Sequence, residues 1–255
     1  MDAIKLTERD ICQGYVILVN RQHSIRTELF QGTQRLVPAD PRYPETLLAS
    51  QPAALLTRLI QDCGGQGRIL PVSGYRTLRE QTGLFDDSLR RNGREFTHQF
   101  VAFPNCSEHQ TGLAIDLAEN KPNIDLIRPD VPYTGVFGAF RDLAAEYGFV
   151  ERYPKGKEAV TGIAFEPWHF RYVGYPHAKI MRDKGLALEE YLEFIRGFPY
   201  PEKAYLVKTG ETAFRISFVQ VERDHPVSIS RPDGWFWISG NNADGVIVTS
   251  WEQET

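Results

Sequence analysis

Two stretches of this 255-residue chain gather side chains of the types that bind metal ions and move protons. The first is Ser107-Glu108-His109-Gln110-Thr111-Gly112-Leu113-Ala114-Ile115-Asp116, and the second is Glu166-Pro167-Trp168-His169. A catalytic zinc takes three protein ligands from imidazole and carboxylate groups and keeps a fourth position for water. His109, Asp116 and His169 supply that set. A carboxylate near the bound water then acts as general base, and Glu166, three residues before His169, is the candidate. Taken singly, each residue has a plainer reading. A lone histidine is more often a surface or satisfied core residue, which is how His23, His98, His177 and His225 are read. An aspartate ending a strand is usually a turn former. It is the joint pattern that points to a metal.

The elements around these residues must bring them together. Ala114 to Leu117 is a short apolar run that ends near Asp116, and Phe165 to Val173 reads as a strand. In a flat strand Glu166 and His169 point to opposite faces, so Pro167 has to bend the chain for both to reach one site. Gly112 provides a tight turn between His109 and Asp116. Further strands are expected at Tyr15 to Asn20 and at Arg68 to Ser73. Helices are expected at Glu45 to Asp62, Leu78 to Arg91, Gly138 to Tyr147 (with Gly148 as C-cap), Pro176 to Lys184 and Leu188 to Arg196. Strands and helices alternate without a regular βαβ rhythm, which indicates an α+β fold. After Gly197 the texture changes to short runs rich in Val, Ile, Phe and Trp separated by turn signals. The expected organisation is a catalytic domain over residues 1–197 and a small all-β appendage over 198–255, with Trp235, Trp237 and Trp251 as the appendage core.

Bulk properties bound the alternatives. Apolar residues make up 42% and charged residues 24%, a globular composition, and the formal charge of −4 gives no indication of a nucleic-acid partner. No stretch approaches the length of a membrane span, and charged residues at Glu8, Arg9 and Asp10 interrupt the start of the chain, so a cytoplasmic protein is expected. Cys12, Cys63 and Cys106 are odd in number and widely spaced, which reads as three reduced thiols.

The pattern SxHxxGxAxD followed by ExxH resembles the signature of the LAS metallopeptidases. The segments Ser73-Gly74-Tyr75-Arg76, Val101 to Leu117 and Glu166 to Gly174 are similar to the VanY and VanXY group of D-alanyl-D-alanine carboxypeptidases. The resemblance spans about residues 15 to 197. One departure is Asn105, where the pattern has glycine; asparagine tolerates left-handed backbone angles.

The resemblance implies a fold, a small antiparallel sheet with flanking helices. It also implies Zn2+ as cofactor, and as partner a peptidoglycan precursor peptide ending in D-Ala-D-Ala. The reaction implied is hydrolysis of that terminal bond, by a carboxypeptidase or also a D-Ala-D-Ala dipeptidase, with a role in glycopeptide resistance. An L,D-carboxypeptidase, an endolysin-type endopeptidase and a non-catalytic zinc-stabilised module stay open beside it. Arg76 is implied to steady the oxyanion, against a plain reading as a surface salt bridge. Ser107 is implied near substrate polar groups, or makes a local turn hydrogen bond. Gln81 is implied to touch the substrate carboxylate, or sits on an exposed helix face. Trp168 and Cys106 are read as packing residues.

Overall fold

The computed structural model describes residues 3–30, 35–125, 128–222 and 224–252. In chain order the elements begin with β1 (Ala3–Leu6), α1 (Glu8–Ile11), β2 (Leu36–Pro38), β3 (Leu47–Ala49), α2 (Ser50–Asp62), β4 (Ile69–Ser73) and α3 (Leu78–Phe100). They continue with β5 (Ala114–Glu119), α4 (Gly135–Ala144), β6 (Phe149–Tyr153), α5 (Glu158–Thr161), β7 (Glu166–Tyr172), α6 (His177–Lys184) and α7 (Leu188–Arg196). The last are β8 (Tyr205–Thr209), β9 (Thr212–Gln220), β10 (Val227–Ser230), β11 (Trp235–Gly240) and β12 (Gly245–Glu252). The α+β class expected from the sequence is the one observed. Among the described residues no helix is long and apolar enough to cross a membrane.

The chain folds into two compact units, one of residues 20–24 and 32–187, the other of residues 1–19, 25–31 and 188–255. The first holds an antiparallel sheet in the order β4-β5-β7-β6. Side chains alternate across a strand, so each face of this sheet has its own job. On one face Phe170 of β7 meets Phe140 of α4 edge-on at 4.9 Å, and both rings are fully buried. Burying one such side chain stabilises by roughly 1.5–3 kcal/mol. The opposite face carries Asp116 and His169, which stand directly across from each other on β5 and β7. Helix α3 starts with a capping box, in which Thr77 and Glu80 satisfy each other's backbone donors. Its helical angles break at Gly93, with φ of 80°, before it runs on to Phe100, so it is longer than the expected Leu78 to Arg91.

The second unit is β-rich, with a sheet in the order β11-β12-β9-β8 and a separate antiparallel pair β1-β10. Here the expected division between 197 and 198 differs from the observed one. Leu6 and Ile11 are buried in one cluster with Val219, Val221, Ile229, Val246 and Val248, so the start of the chain is part of the β-rich unit, as is α7. The sequence hid this because β1 is only four residues long and is followed by charged residues.

Three further expectations are corrected. Tyr15 to Asn20 forms no strand. Val16 to Val19 are buried, but their backbone is satisfied by single bonds, Val16 N to Ser239 Oγ (2.9 Å) and Leu18 N to Asn241 O (3.1 Å), not by a ladder. Leu47 and Leu48 belong to β3 and pair with Pro38 and Val37, so α2 begins only at Ser50. Trp235 is 65% exposed and is not part of a core.

Candidate active site

The structure brings the three expected ligands together. One ligand atom from each of His109, Asp116 and His169 lies within 4.8 Å of the other two. His109 sits in a 3-10 turn, Glu108–Thr111, which ends at Gly112 in the left-handed conformation, with φ of 71°. A side chain at 112 would be strained there and would also press to 2.9 Å from Leu36. The turn lets the chain enter β5 at Ala114, and two residues later Asp116 faces the same cavity. Asn105, with φ of 64°, does take a left-handed angle, and its N–H donates to Gln110 Oε1 at 2.9 Å.

The interruption required in β7 is present. Phe170 pairs with Glu151 and Glu166 pairs with Tyr153, so β7 spends four residues where β6 spends two. Pro167 lies in the irregular stretch, and Glu166 and His169 both line the cavity, with 4.0 Å between Glu166 Oε2 and His169 Nδ1.

The orientation of each imidazole is fixed by its second nitrogen. His109 Nδ1 is 2.7 Å from the carbonyl oxygen of Gly74, which leaves Nε2 facing Asp116 Oδ2 at 3.2 Å. Gly74 has to be glycine, because a Cβ there would come within 2.2 Å of the Leu47 carbonyl oxygen. His169 Nδ1 faces Asp116 Oδ1 at 2.9 Å, and its Nε2 faces Glu108 Oε2 at 3.4 Å. Two imidazole nitrogens and a carboxylate oxygen thus converge, a donor set that fits a divalent ion of the zinc type.

The cavity encloses about 330 Å³, and its lining includes Arg76, Ser107, Tyr153, Glu166 and Trp168 besides His109, Asp116 and His169. Burial pushes the Glu166 carboxyl up to about 8, with Asp116 adding to the rise while His169 and Arg76 oppose it. Burial and the charge of Arg76 bring His109 down to about 4. For His169 burial opposes protonation, but the hydrogen bonds to Asp116 and Glu108 prevail and carry it up to about 9. Burial works against the charge of Asp116 as well, yet its contacts with the two histidines hold it far below the usual carboxylate range.

Arg76 is no surface salt bridge. It lines the cavity, burial lowers its pKa, and its Nε is buried with no hydrogen-bond partner. The negative charges of Asp116 and Glu166 act on it against that burial. Ser107 is buried and lines the cavity. Gln81 is fully buried, which overturns the exposed-face alternative. Its Nε2 donates to the carbonyl oxygen of Ala102, a residue of the cavity wall, at 2.7 Å, and its Oε1 has no partner. Trp168 is buried and also lines the cavity. Cys106 lines an adjacent chamber and takes no part in the ligand cluster.

Sequence reasoning missed Glu108, Arg152, Tyr153 and Arg171. The ring of Tyr153 lies 4.9 Å from that of His169. Glu108, Arg152 and Arg171 form a buried charged group directly behind the ligands. The one available signal was an acidic residue adjoining His109, and adjacency alone does not tell a buried carboxylate from a solvated one.

An antiparallel sheet presents His, Asp and His, a group that could hold a metal ion, to one cavity with a glutamate and an arginine beside them, the arrangement expected of a metallopeptidase. The chain matches the family described as VanY, D-alanyl-D-alanine carboxypeptidase, over residues 45–175. It is 40% identical over 179 residues to the bifunctional D-Ala-D-Ala dipeptidase and carboxypeptidase VanXYC of Enterococcus gallinarum, covering 70% of this chain and 93% of that protein. Its structure is similar to that of the vancomycin resistance D,D-dipeptidase VanXYg in complex with a D-Ala-D-Ala phosphinate analogue. In that match the TM-score is 0.93, the identity 45%, and 98% of this chain and 99% of the other are covered. A mutant of the D,D-pentapeptidase VanY from a VanB-type resistance cassette, in complex with Zn(II), matches with a TM-score of 0.56 and 29% identity over 70% of this chain and 98% of that one. The chain therefore belongs to the VanY family of D-alanyl-D-alanine carboxypeptidases.

Proposed function

We propose that this chain is a zinc-dependent D-alanyl-D-alanine carboxypeptidase that removes the terminal D-alanine from peptidoglycan precursor peptides and also accepts free D-Ala-D-Ala. The observation that carries the reading is the convergence of His109, Asp116 and His169 in one cavity with Glu166 and Arg76. VanXYC and VanXYg, the relatives similar over most of this chain, are named for both or one of these activities.

His109, Asp116 and His169 would hold the ion through Nε2, a carboxylate oxygen and Nδ1. When bound, zinc supplies acidification of a water and polarisation of a carbonyl. Glu166 is assigned as the base that takes the proton of the attacking water and returns it to the leaving amine. Burial pushes this carboxyl up and a bound cation would pull it down, and such opposed influences suit a group that must both take and return a proton. Arg76 brings an unspent N–H donor and a fixed charge to the oxygen that becomes negative. Ser107 is assigned to the polar groups of the substrate. Gln81 is assigned to the substrate side through the wall that it holds at Ala102. The unit of residues 20–24 and 32–187 carries this chemistry, and the β-rich unit is an appendage to it.

The test offers purified protein a nucleotide-linked muramyl pentapeptide, free D-Ala-D-Ala and a tetrapeptide. Release of one D-alanine from the pentapeptide is expected, with cleavage of the dipeptide. Cleavage of the tetrapeptide alone would identify an L,D-carboxypeptidase, and no turnover with zinc bound would identify a binding module. Glu166→Ala is expected to abolish turnover with zinc retained, and His109→Ala to lose the metal.

A further inference from the structure

Behind the ligand cluster lies a charged group that the reaction itself does not use. Glu108 is fully buried, and so are Arg152 and Arg171. Glu108 Oε1 accepts from Arg152 Nε and from Arg171 Nη1, both at 2.8 Å. Taking charges out of water offsets most of what their pairing returns, so three such groups without solvent need a reason beyond stability. The second carboxylate oxygen gives one: Oε2 is 3.4 Å from His169 Nε2.

We infer that Glu108 is a positioning residue, which holds the His169 ring with Nε2 toward itself and Nδ1 toward the metal position. A carboxylate flanked by two guanidinium groups only accepts hydrogen bonds, so the ring nitrogen facing it is the one that carries the proton. The neutral ring then has its lone pair on Nδ1, the atom beside Asp116 Oδ1. The partners come from three elements. Glu108 adjoins His109 in the 3-10 turn, Arg152 lies in the irregular part of β6, and Arg171 lies two residues beyond His169 on β7. One carboxylate thereby ties the turn that carries one ligand histidine to the strand that carries the other. The inference rests on the metallopeptidase reading of the site.

The experiment measures zinc affinity by competition with a chelating dye in the full chain, the visible spectrum of the Co(II)-substituted protein, and thermal unfolding. Glu108→Gln keeps the shape, but its amide can present an N–H to the ring. It is expected to weaken zinc binding by about 10–100-fold and to change the Co(II) spectrum, as loss of a partner behind a metal ligand does. Glu8→Gln is the control. It breaks an ion pair of the β-rich unit, with Arg26 at 2.7 Å, and neither residue belongs to the ligand cluster or lines its cavity. It is expected to lower stability with zinc affinity unchanged. Equal affinity in wild type and Glu108→Gln, or an equal loss in both variants, would overturn the inference and leave the metal reading standing. A wild-type chain that binds no zinc would overturn both. Should Glu108→Gln fail to fold, long-range 1H–15N spectra of the zinc-loaded wild type decide. A proton on His169 Nε2 with the metal on Nδ1 supports the role, and the reverse arrangement refutes it.

Discussion

Replacing Glu166 by glutamine tests the electrostatics of the site apart from its chemistry. In the metal-free protein burial carries this carboxyl from 4.5 to about 8. A group with a raised folded-state pKa binds its proton more tightly when folded, so its contribution to stability is greatest below 4.5 and is lost as the pH rises through 8. At pH 7 the unfolded chain has an ionised Glu166 that must take up a proton on folding, which costs roughly 3 kcal/mol at about 1.4 kcal/mol per pH unit. Near pH 5 the cost is under about 1 kcal/mol, and above pH 8 it levels off at about 5 kcal/mol. Glutamine cannot ionise and carries none of this cost. In urea unfolding of the chelator-treated proteins, the variant is therefore expected to gain on wild type steadily from pH 5 to about pH 8 and to hold that gain at pH 9. A stability difference that stays constant across that range would refute the reasoning, since it would mean that Glu166 is ionised in the folded metal-free chain. The same variant is expected to keep zinc while its turnover falls by about 10²–10⁴-fold, the usual contribution of a general base.

Three other outcomes follow from the same geometry. Metal-free His169, at about 9, carries a proton at pH 7 and His109, at about 4, does not, so zinc binding to the Glu166→Gln variant, in which residue 166 has no proton to lose, should release about one proton from the histidine pair. Calorimetry in buffers of different ionisation enthalpy reads that number, and a value of zero would contradict the assigned charge states. Arg76→Ala is expected to lower kcat by about 10²–10³-fold with zinc content unchanged, the loss typical of an oxyanion donor; a variant changed only in KM would make Arg76 a ground-state binder. Gly112→Ala is expected to destabilise by at least about 1–2 kcal/mol, because φ of 71° is unfavourable for an L side chain, and to weaken zinc binding through the displaced His109 turn; unchanged unfolding in urea would show that the turn relaxes without cost.

The chemistry of this protein was written locally. The two imidazoles and two carboxylates that meet in one cavity are recognisable by type and spacing, and the required interruption at Pro167 follows from the sequence, because side-chain alternation along a strand is a local rule. Helix α7 ran as its periodic apolar pattern indicated, for the same reason. What depends on partners distant in sequence was not legible. Tyr15 to Asn20 has the composition of a strand, but its hydrogen bonds go to Ser239 and Asn241, more than two hundred residues away. The pairing of β1 with β10 draws the chain's start into the β-rich unit, and no local signal announces it. Gln81 reads as a polar residue on a helix, and only the fold buries it against Ala102. Glu108, Arg152 and Arg171 look like ordinary charges at positions 44 and 63 residues from the first, and tertiary packing alone turns them into one desolvated group behind His169. Sequence fixes which atoms can act; the dielectric around them, and so their charge and direction, is set by what the folded chain removes from water.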